Sequence, residues 1–266
     1  MERINKLLLS ALLTTSLGVA SHAAMAQTTI NEGKLVVGME VSYPPFESYD
    51  GDKVVGFDPE LSALLADKMS LGHSFSDNKF TGLILGLTSK KFDAVISGMY
   101  IIPDRLKKAD AIPYARTGAS ILVNKGSDVT PKTEHDLCGV KVGLQQGTTW
   151  VKALNSLSDS YCSANGLEPI QVLEFPSAPE VTQALLSRNV QAQLEIAGAA
   201  QMFVERTKGR VEISSPELVF PQTLGIYVSK DNPALKTQLQ TAMVEIKADG
   251  SYYDLIHKYE LTPVEE

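Results

Sequence analysis

Residues 91–105, Lys-Phe-Asp-Ala-Val-Ile-Ser-Gly-Met-Tyr-Ile-Ile-Pro-Asp-Arg, constrain the fold more than any other stretch of the chain. Phe92 to Ile96 is mostly apolar and partly β-branched, the pattern of a short buried strand. Ser97-Gly98 breaks it. Pro103-Asp104-Arg105 reads as a turn or the first turn of a helix, where proline is tolerated. A strand that runs into a glycine turn and then a helix is where α/β sheets place ligand sites. Arg105 ends that turn, and with the loop amides it can hold an anionic group, most simply a carboxylate.

The flanking sequence gives this strand partners. Lys34 to Val41 reads as a first strand, stopped by Tyr43-Pro44-Pro45-Phe46, whose prolines stiffen a loop presenting Tyr43 and Phe46. Asp50-Gly51-Asp52 reads as a hairpin turn. Asp58-Pro59 opens a helix as N-cap and first residue, and Leu61, Leu64, Leu65 and Met69 give it one apolar face. A strand near His73–Ser76 and a helix over Thr81–Ser89 follow. The order β-α-β-α-β indicates an α/β fold with a doubly wound, mostly parallel sheet. Tyr43, Phe46 and the Ser97–Arg105 loop then share one sheet edge.

A second α/β unit starts near Val140. Its strand, Val140 to Leu144, runs into Gln145-Gln146-Gly147-Thr148-Thr149, and a helix begins near Trp150. Glycine and hydroxyls at a helix N-terminus suit an anion, although Thr148 serves equally well as a helix cap. Strands at Ile170–Leu173 and Val190–Ile196, with helices at Pro179–Leu186 and Ala197–Arg206, complete the unit. A strand at Leu224–Val228 leads to a helix carrying Leu235, Leu239, Met243 and Ile246, closed by Asp249-Gly250. A last helix covers Tyr252–Tyr259. Two strand-like crossings, near Gly118 and near Leu224, are the expected hinge.

The first 26 residues read as an export leader: a charged start, an apolar run from Leu7 to Ala20, and Ala24-Met25-Ala26 as a cleavage pattern. The apolar run is short for a membrane span, and no later stretch is apolar for long enough to cross one. An exported, soluble, periplasmic protein is expected, with no direct membrane insertion. The net charge is −7, and removing Glu2, Arg3 and Lys6 leaves −8. That balance argues against nucleic acid and anionic lipid surfaces. The two cysteines, Cys138 and Cys162, favour a disulfide in an exported compartment. Two free buried thiols or a redox or metal site are the alternatives, and no Cys-x-x-Cys or Cys/His spacing supports metal.

Several segments, in order, resemble one family: Gly38-Met39-Glu40-Val41-Ser42-Tyr43-Pro44-Pro45-Phe46, Gly56-Phe57-Asp58, Phe92 through Met99, Pro103-Asp104-Arg105, Pro113-Tyr114, Val142 through Thr149, Lys230-Asp231-Asn232-Pro233 and Asp249-Gly250. Together they resemble the periplasmic solute-binding proteins of polar amino-acid ABC transporters, the bacterial extracellular solute-binding proteins of family 3. The resemblance implies a two-lobed periplasmic-binding-protein clamshell with two hinge crossings. Lobe 1 would hold residues 27–118 plus 225–266, and lobe 2 residues 119–224. It implies that Arg105 pairs with a ligand carboxylate, that Ser97, Gly98, Met99 and Tyr100 add hydrogen bonds, and that Thr148 adds one from lobe 2. Glu40 and Tyr43 would line the pocket, with Phe46 beside them. Three positions depart from the family pattern. Tyr100 stands where a small hydroxyl residue is common, Ile102 where threonine is, and Ile196 where an aspartate meets the ligand ammonium. Glu195, one residue earlier, points to the other face of a regular strand, so either a bulge brings it in or Glu40 meets the ammonium, or the ligand has none.

Each of these residues also has a plain structural reading. Arg105 could be a surface arginine paired with Asp104 or Asp110, and Glu195 a structural acid. Three functions follow from the sequence. The first is binding of a small carboxylate-bearing solute, an amino acid or derivative, by a monomer that delivers it to an ABC transporter membrane permease. The second is a dehydratase-like enzyme using a pocket acid, Glu40 or Glu195. The third is a sensory module. No nucleophile–base pair is apparent, and His73, His135 and His257 are scattered, so no catalytic residue, cofactor or metal is expected.

Overall fold

In the computed structural model, which describes residues 28–265, Leu35 to Met39 are buried on both faces, as a strand inside a two-sided α/β sheet requires. The leader expected over residues 1–26, and the chain ends Gln27 and Glu266, lie outside the described residues. The first half runs β1 (Lys34–Met39), β2 (Ser42–Tyr43), β3 (Glu47–Asp50), β4 (Lys53–Val55), α1 (Phe57–Lys68), β5 (Gly72–Asp77), α2 (Leu83–Thr88), β6 (Ala94–Val95), α3 (Pro103–Leu106) and β7 (Ala109–Asn124). The second half runs β8 (Lys141–Gln145), α4 (Thr149–Leu157), β9 (Gln171–Phe175), α5 (Ala178–Leu186), β10 (Ala192–Ile196), α6 (Ala197–Arg206), β11 (Val211–Ile213), β12 (Val219–Ser229), α7 (Pro233–Ala248) and α8 (Ser251–Lys258).

The main sheet has the order β5-β1-β6-β12-β7-β10-β8-β9, with β11 paired to β7. β1 is parallel to β5 and β6, and β8 is parallel to β9 and β10. Between these two parallel groups lie β7 and β12, long and antiparallel, paired from Ala109 with Ser229 to Ala119 with Val219. The chain is thus a two-lobed α/β clamshell whose two parallel sheets are joined by a pair of crossing strands. The small hairpin sheet β2-β3-β4 stands beside the first group. No helix among the described residues is long and apolar enough to cross a membrane.

Three elements differ from the sequence expectation. β7 begins at Ala109, nine residues ahead of the crossing expected near Gly118, because its first half is paired along its whole length with β12, whereas Asp110, Pro113 and Arg116 hide the strand in the sequence. The strand expected over Phe92–Ile96 is regular only at Ala94–Val95; Phe92 instead packs with Leu83 and Leu87 of α2. Asp58 does not cap α1. The helix starts at Phe57, with Gly56 at the cap in a backbone conformation (φ 130°) that other residues rarely adopt. A Cβ at position 56 would lie 2.3 Å from the Phe46 carbonyl oxygen. Asp58 turns inward and is fully buried.

Cys138 and Cys162 form a disulfide across 24 residues, joining the turn before β8 to the segment after α4. Of the alternatives left by the sequence, free thiols and a metal pair are removed by this bond.

Candidate ligand site between the lobes

Strand direction places the site. β1 and β6 end at Met39 and Val95, just before Glu40 and Ser97, and β8 and β10 end at Gln145 and Ile196; Glu40, Ser97, Gln145 and Ile196 all line one cavity. Of the candidates named from sequence, Glu40, Tyr43, Ser97, Gly98, Tyr100, Arg105 and Thr148 line it. Phe46, Met99 and Glu195 do not. Phe46 stacks behind Tyr43, with ring centroids 5.7 Å apart, and meets Phe57 edge-on. The Met99 side chain packs in the cluster of Leu83, Leu87 and Phe92, and only its carbonyl serves the loop, accepting from Gly225 N. Glu195 is fully buried behind Tyr43, with no bulge between it and Ala119 or Ser120 of β7.

The Arg105 guanidinium donates from Nη1 to the Tyr100 carbonyl at 2.8 Å and from Nη2 to the Gly147 carbonyl at 3.0 Å. It lies over the Phe80 ring, 5.4 Å from the centroid. The bond to Gly147 ties α3 to the loop after β8. Arg105 pairs with neither Asp104 nor Asp110: those carboxylates meet Lys107, Lys152 and Lys236.

The Ser97-Gly98 turn is held from behind by buried acids. Ser97 Oγ donates to Glu47 Oε1 at 2.6 Å and accepts from Glu40 N at 3.1 Å. Gly98 N donates to Asp58 Oδ2 at 2.6 Å, and Tyr114 donates to Asp58 Oδ1 at 3.0 Å. These two loop groups, expected to face a ligand, therefore hold the loop in place. Burial, then the Asp58 charge beside it, push Glu47 well above the usual carboxylate range. Burial raises Asp58 to about 6. Glu47 Oε2 has no hydrogen-bond partner among the described residues.

Glu40 accepts from Gln145 Nε2 across the cleft, and burial raises its pKa. Tyr43 donates to Glu195 Oε2 at 2.8 Å and accepts from Ile196 N at 3.2 Å. Glu195 also accepts from Gln193 Nε2 at 2.8 Å, and burial pushes it up to about 7. Thr148 donates to the Gln145 carbonyl at 2.8 Å, so its hydroxyl closes its own loop and does not cap α4. Trp150, in the first turn of α4, meets Tyr100 edge-on with centroids 5.8 Å apart.

Sequence reasoning did not select Glu47, Phe80, Gln145, Thr149 or Trp150 for the lining. Glu47 carried a signal, an acid at an inward position of a hairpin strand. Phe80 and Trp150 are single aromatics ahead of or inside helices, with no local mark separating cavity from core.

A model of the bacterial extracellular solute-binding proteins, family 3, matches residues 35–262. The chain is 32% identical over 230 residues to the L-cystine-binding protein TcyJ of Escherichia coli (strain K12), covering 85% of this chain and 82% of that protein. It is 30% identical over 255 residues to the ABC transporter arginine-binding protein 1 of the same strain, covering 94% and 96%. Among solved structures, an ancestral arginine-binding protein bound to glutamine superposes with a TM-score of 0.77 at 33% identity, covering 86% of this chain and 98% of that one. The ancestral amino acid-binding protein AncCDT-1, a precursor of cyclohexadienyl dehydratase, gives 0.74 at 29%, covering 85% and 95%. The match runs from β1 to beyond α8 and takes in every wall of the cavity, and this chain belongs to the bacterial extracellular solute-binding proteins of family 3.

Proposed function

We propose that this protein binds a small carboxylate-bearing solute, an amino acid or a derivative of one, between its lobes in the periplasm and delivers it to the permease of an ABC transporter. The observation that carries this reading is the cavity at the junction of the two sheets, walled on one side by Arg105 and lined from both parallel groups of strands. Two of the five guanidinium N–H groups are directed at carbonyls, which leaves donors for a carboxylate oxygen. The first amides of α4 have no intrahelical partner and add a second anion-favouring feature at the same cavity. Glu40 is the acid available to a ligand ammonium.

Entry and release follow from the crossing strands. Residues 27–118 plus 225–266 would move as one lobe and 119–224 as the other, about β7 and β12. The named relatives are binding proteins. The dehydratase-like alternative needs a cavity acid, and the second candidate acid for it, Glu195, is bonded to Tyr43 and Gln193 away from the cavity. We read the protein as a monomeric binding protein and not an enzyme.

Calorimetry on protein stripped of ligand by unfolding and refolding tests this. An amino acid should bind and be recovered unchanged, and Arg105→Ala should weaken binding at least about a hundredfold, the scale of a lost charged pair. Unchanged affinity in that variant removes the carboxylate role, and chemical turnover of the ligand replaces binding with catalysis.

A further inference from the structure

The cavity wall holds two hydrogen-bond donors that nothing among the described residues satisfies. Tyr100 and Trp150 are 4% and 2% exposed, both line the cavity, and neither Tyr100 Oη nor Trp150 Nε1 has a partner. They come from opposite lobes, one from the loop after β6 and one from α4, and meet edge to face at 5.8 Å. Leaving two buried polar groups unpaired is costly, and the edge-to-face contact sets the two rings side by side on the wall of one cavity.

Resting on the binding function proposed above, we propose that Tyr100 and Trp150 form a two-donor clamp for an uncharged acceptor on the solute, so that the ligand class is an amino acid with a carboxamide-type side chain. The indole N–H is a donor only. A cationic side chain, guanidinium or ammonium, cannot accept from it and leaves it unpaired. A second carboxylate could accept. Yet it would enter a cavity already lined by Glu40 and Glu47, with Asp58 and Glu195 buried behind it, and burial is the main cause that raises the pKa of each of these acids. Among the described residues Arg105 is the one cationic side chain lining the cavity, and in the proposed binding the α-carboxylate takes it. A neutral carbonyl oxygen meets both donors without adding charge. Ile196 fits the same picture: its apolar side chain lines the cavity, while its backbone N–H is turned to Tyr43.

Calorimetry with the stripped full-length protein would use L-glutamine, L-asparagine, L-glutamate, L-arginine and L-leucine as probes. One of the two carboxamides should bind at least about tenfold more tightly than glutamate, arginine and leucine, the scale of one satisfied buried hydrogen bond. Tyr100→Phe keeps its ring and removes only the hydroxyl; Trp150→Phe keeps a smaller aromatic ring and removes the indole N–H. Either should weaken carboxamide binding about tenfold and leave leucine binding within twofold. Arginine or glutamate binding more tightly than both carboxamides overturns the proposal, as does an equal loss for carboxamide and leucine in the variants. Binding of glutamate or arginine in preference leaves the transport function standing, whereas binding of no amino acid at all overturns both.

Discussion

The Tyr43 hydroxyl donates to Glu195 Oε2 at 2.8 Å, joining groups 152 positions apart and on opposite lobes. The same oxygen accepts from Ile196 N at 3.2 Å. One phenol thus satisfies a buried acid and a buried amide of lobe 2 from a short strand of lobe 1. Removing the hydroxyl takes away the bonds to Glu195 Oε2 and Ile196 N, while Gln193 still donates to Glu195 Oε1. Tyr43→Phe should cost about 1–3 kcal/mol of stability by denaturant unfolding, and should weaken ligand binding because the lost bond exists only with the lobes together. Full stability in that variant would show that the Glu195 carboxyl is satisfied without Tyr43.

Glu195 makes stability depend on pH in a defined direction. Its carboxyl is raised by burial from 4.5 to about 7, so between those values the folded state holds a proton that the unfolded chain has lost. The stabilisation from the protonated form is complete below about pH 4.5 and fades as pH rises through 7. A shift of this size corresponds to about 3 kcal/mol at most. Asp58, raised to about 6, acts in the same direction at slightly lower pH. The protein should therefore unfold at higher denaturant concentration at pH 5 than at pH 8. Glu195→Gln, which cannot ionise, should flatten that slope. An unaltered slope would place the titrating group elsewhere.

These couplings mark where the sequence was informative. The β1, β8 and β10 strands and the helices α5, α6 and α7 are legible because apolar residues recur at the spacing of a buried strand or a one-faced helix. Strand ends then put Glu40, Tyr43, Ser97 and Tyr100 on one rim. What hydrogen bonds those residues make was not legible. Ser97 and Gly98 look like free ligand donors until Glu47 and Asp58 are found behind them, and that contact spans 40 to 50 residues of chain. Asp58 reads as a helix cap because Asp-Pro at a helix start is locally sufficient, but the tertiary demand of Gly98 and Tyr114 takes its carboxylate inward. The first half of β7 was hidden for the opposite reason: its partner β12 supplies pairing that its own pattern does not announce.

The Cys138–Cys162 bridge closes a loop over β8 and α4, and neither cysteine lines the cavity. On the chain-entropy account it stabilises by about 3 kcal/mol, because it restricts the unfolded chain. Cys138→Ser with Cys162→Ser, or reduction, should lower the denaturation midpoint by a corresponding amount while ligand affinity under native conditions changes little. A loss of affinity with an unchanged midpoint would mean that the bridge orients the α4 end of the site.

The Phe92 ring lies between two glycines. A Cβ on Gly38 of β1 would approach that ring to 2.6 Å, and one on Gly86 of α2 to 2.5 Å. Strand and helix thus come close enough only because neither position has a side chain. Alanine is the better helix former by about 1 kcal/mol, so propensity alone predicts that Gly86→Ala stabilises. Packing predicts the reverse, since Phe92 is 1% exposed and its ring already fills the space between Gly38 and Gly86. Overpacking of this kind costs about 1–3 kcal/mol, which exceeds the gain. Gly86→Ala should therefore destabilise the protein by denaturant unfolding, and adding Phe92→Leu should recover part of the loss. The double-mutant cycle gives the coupling directly, and additive effects would show that the ring and the glycine do not meet.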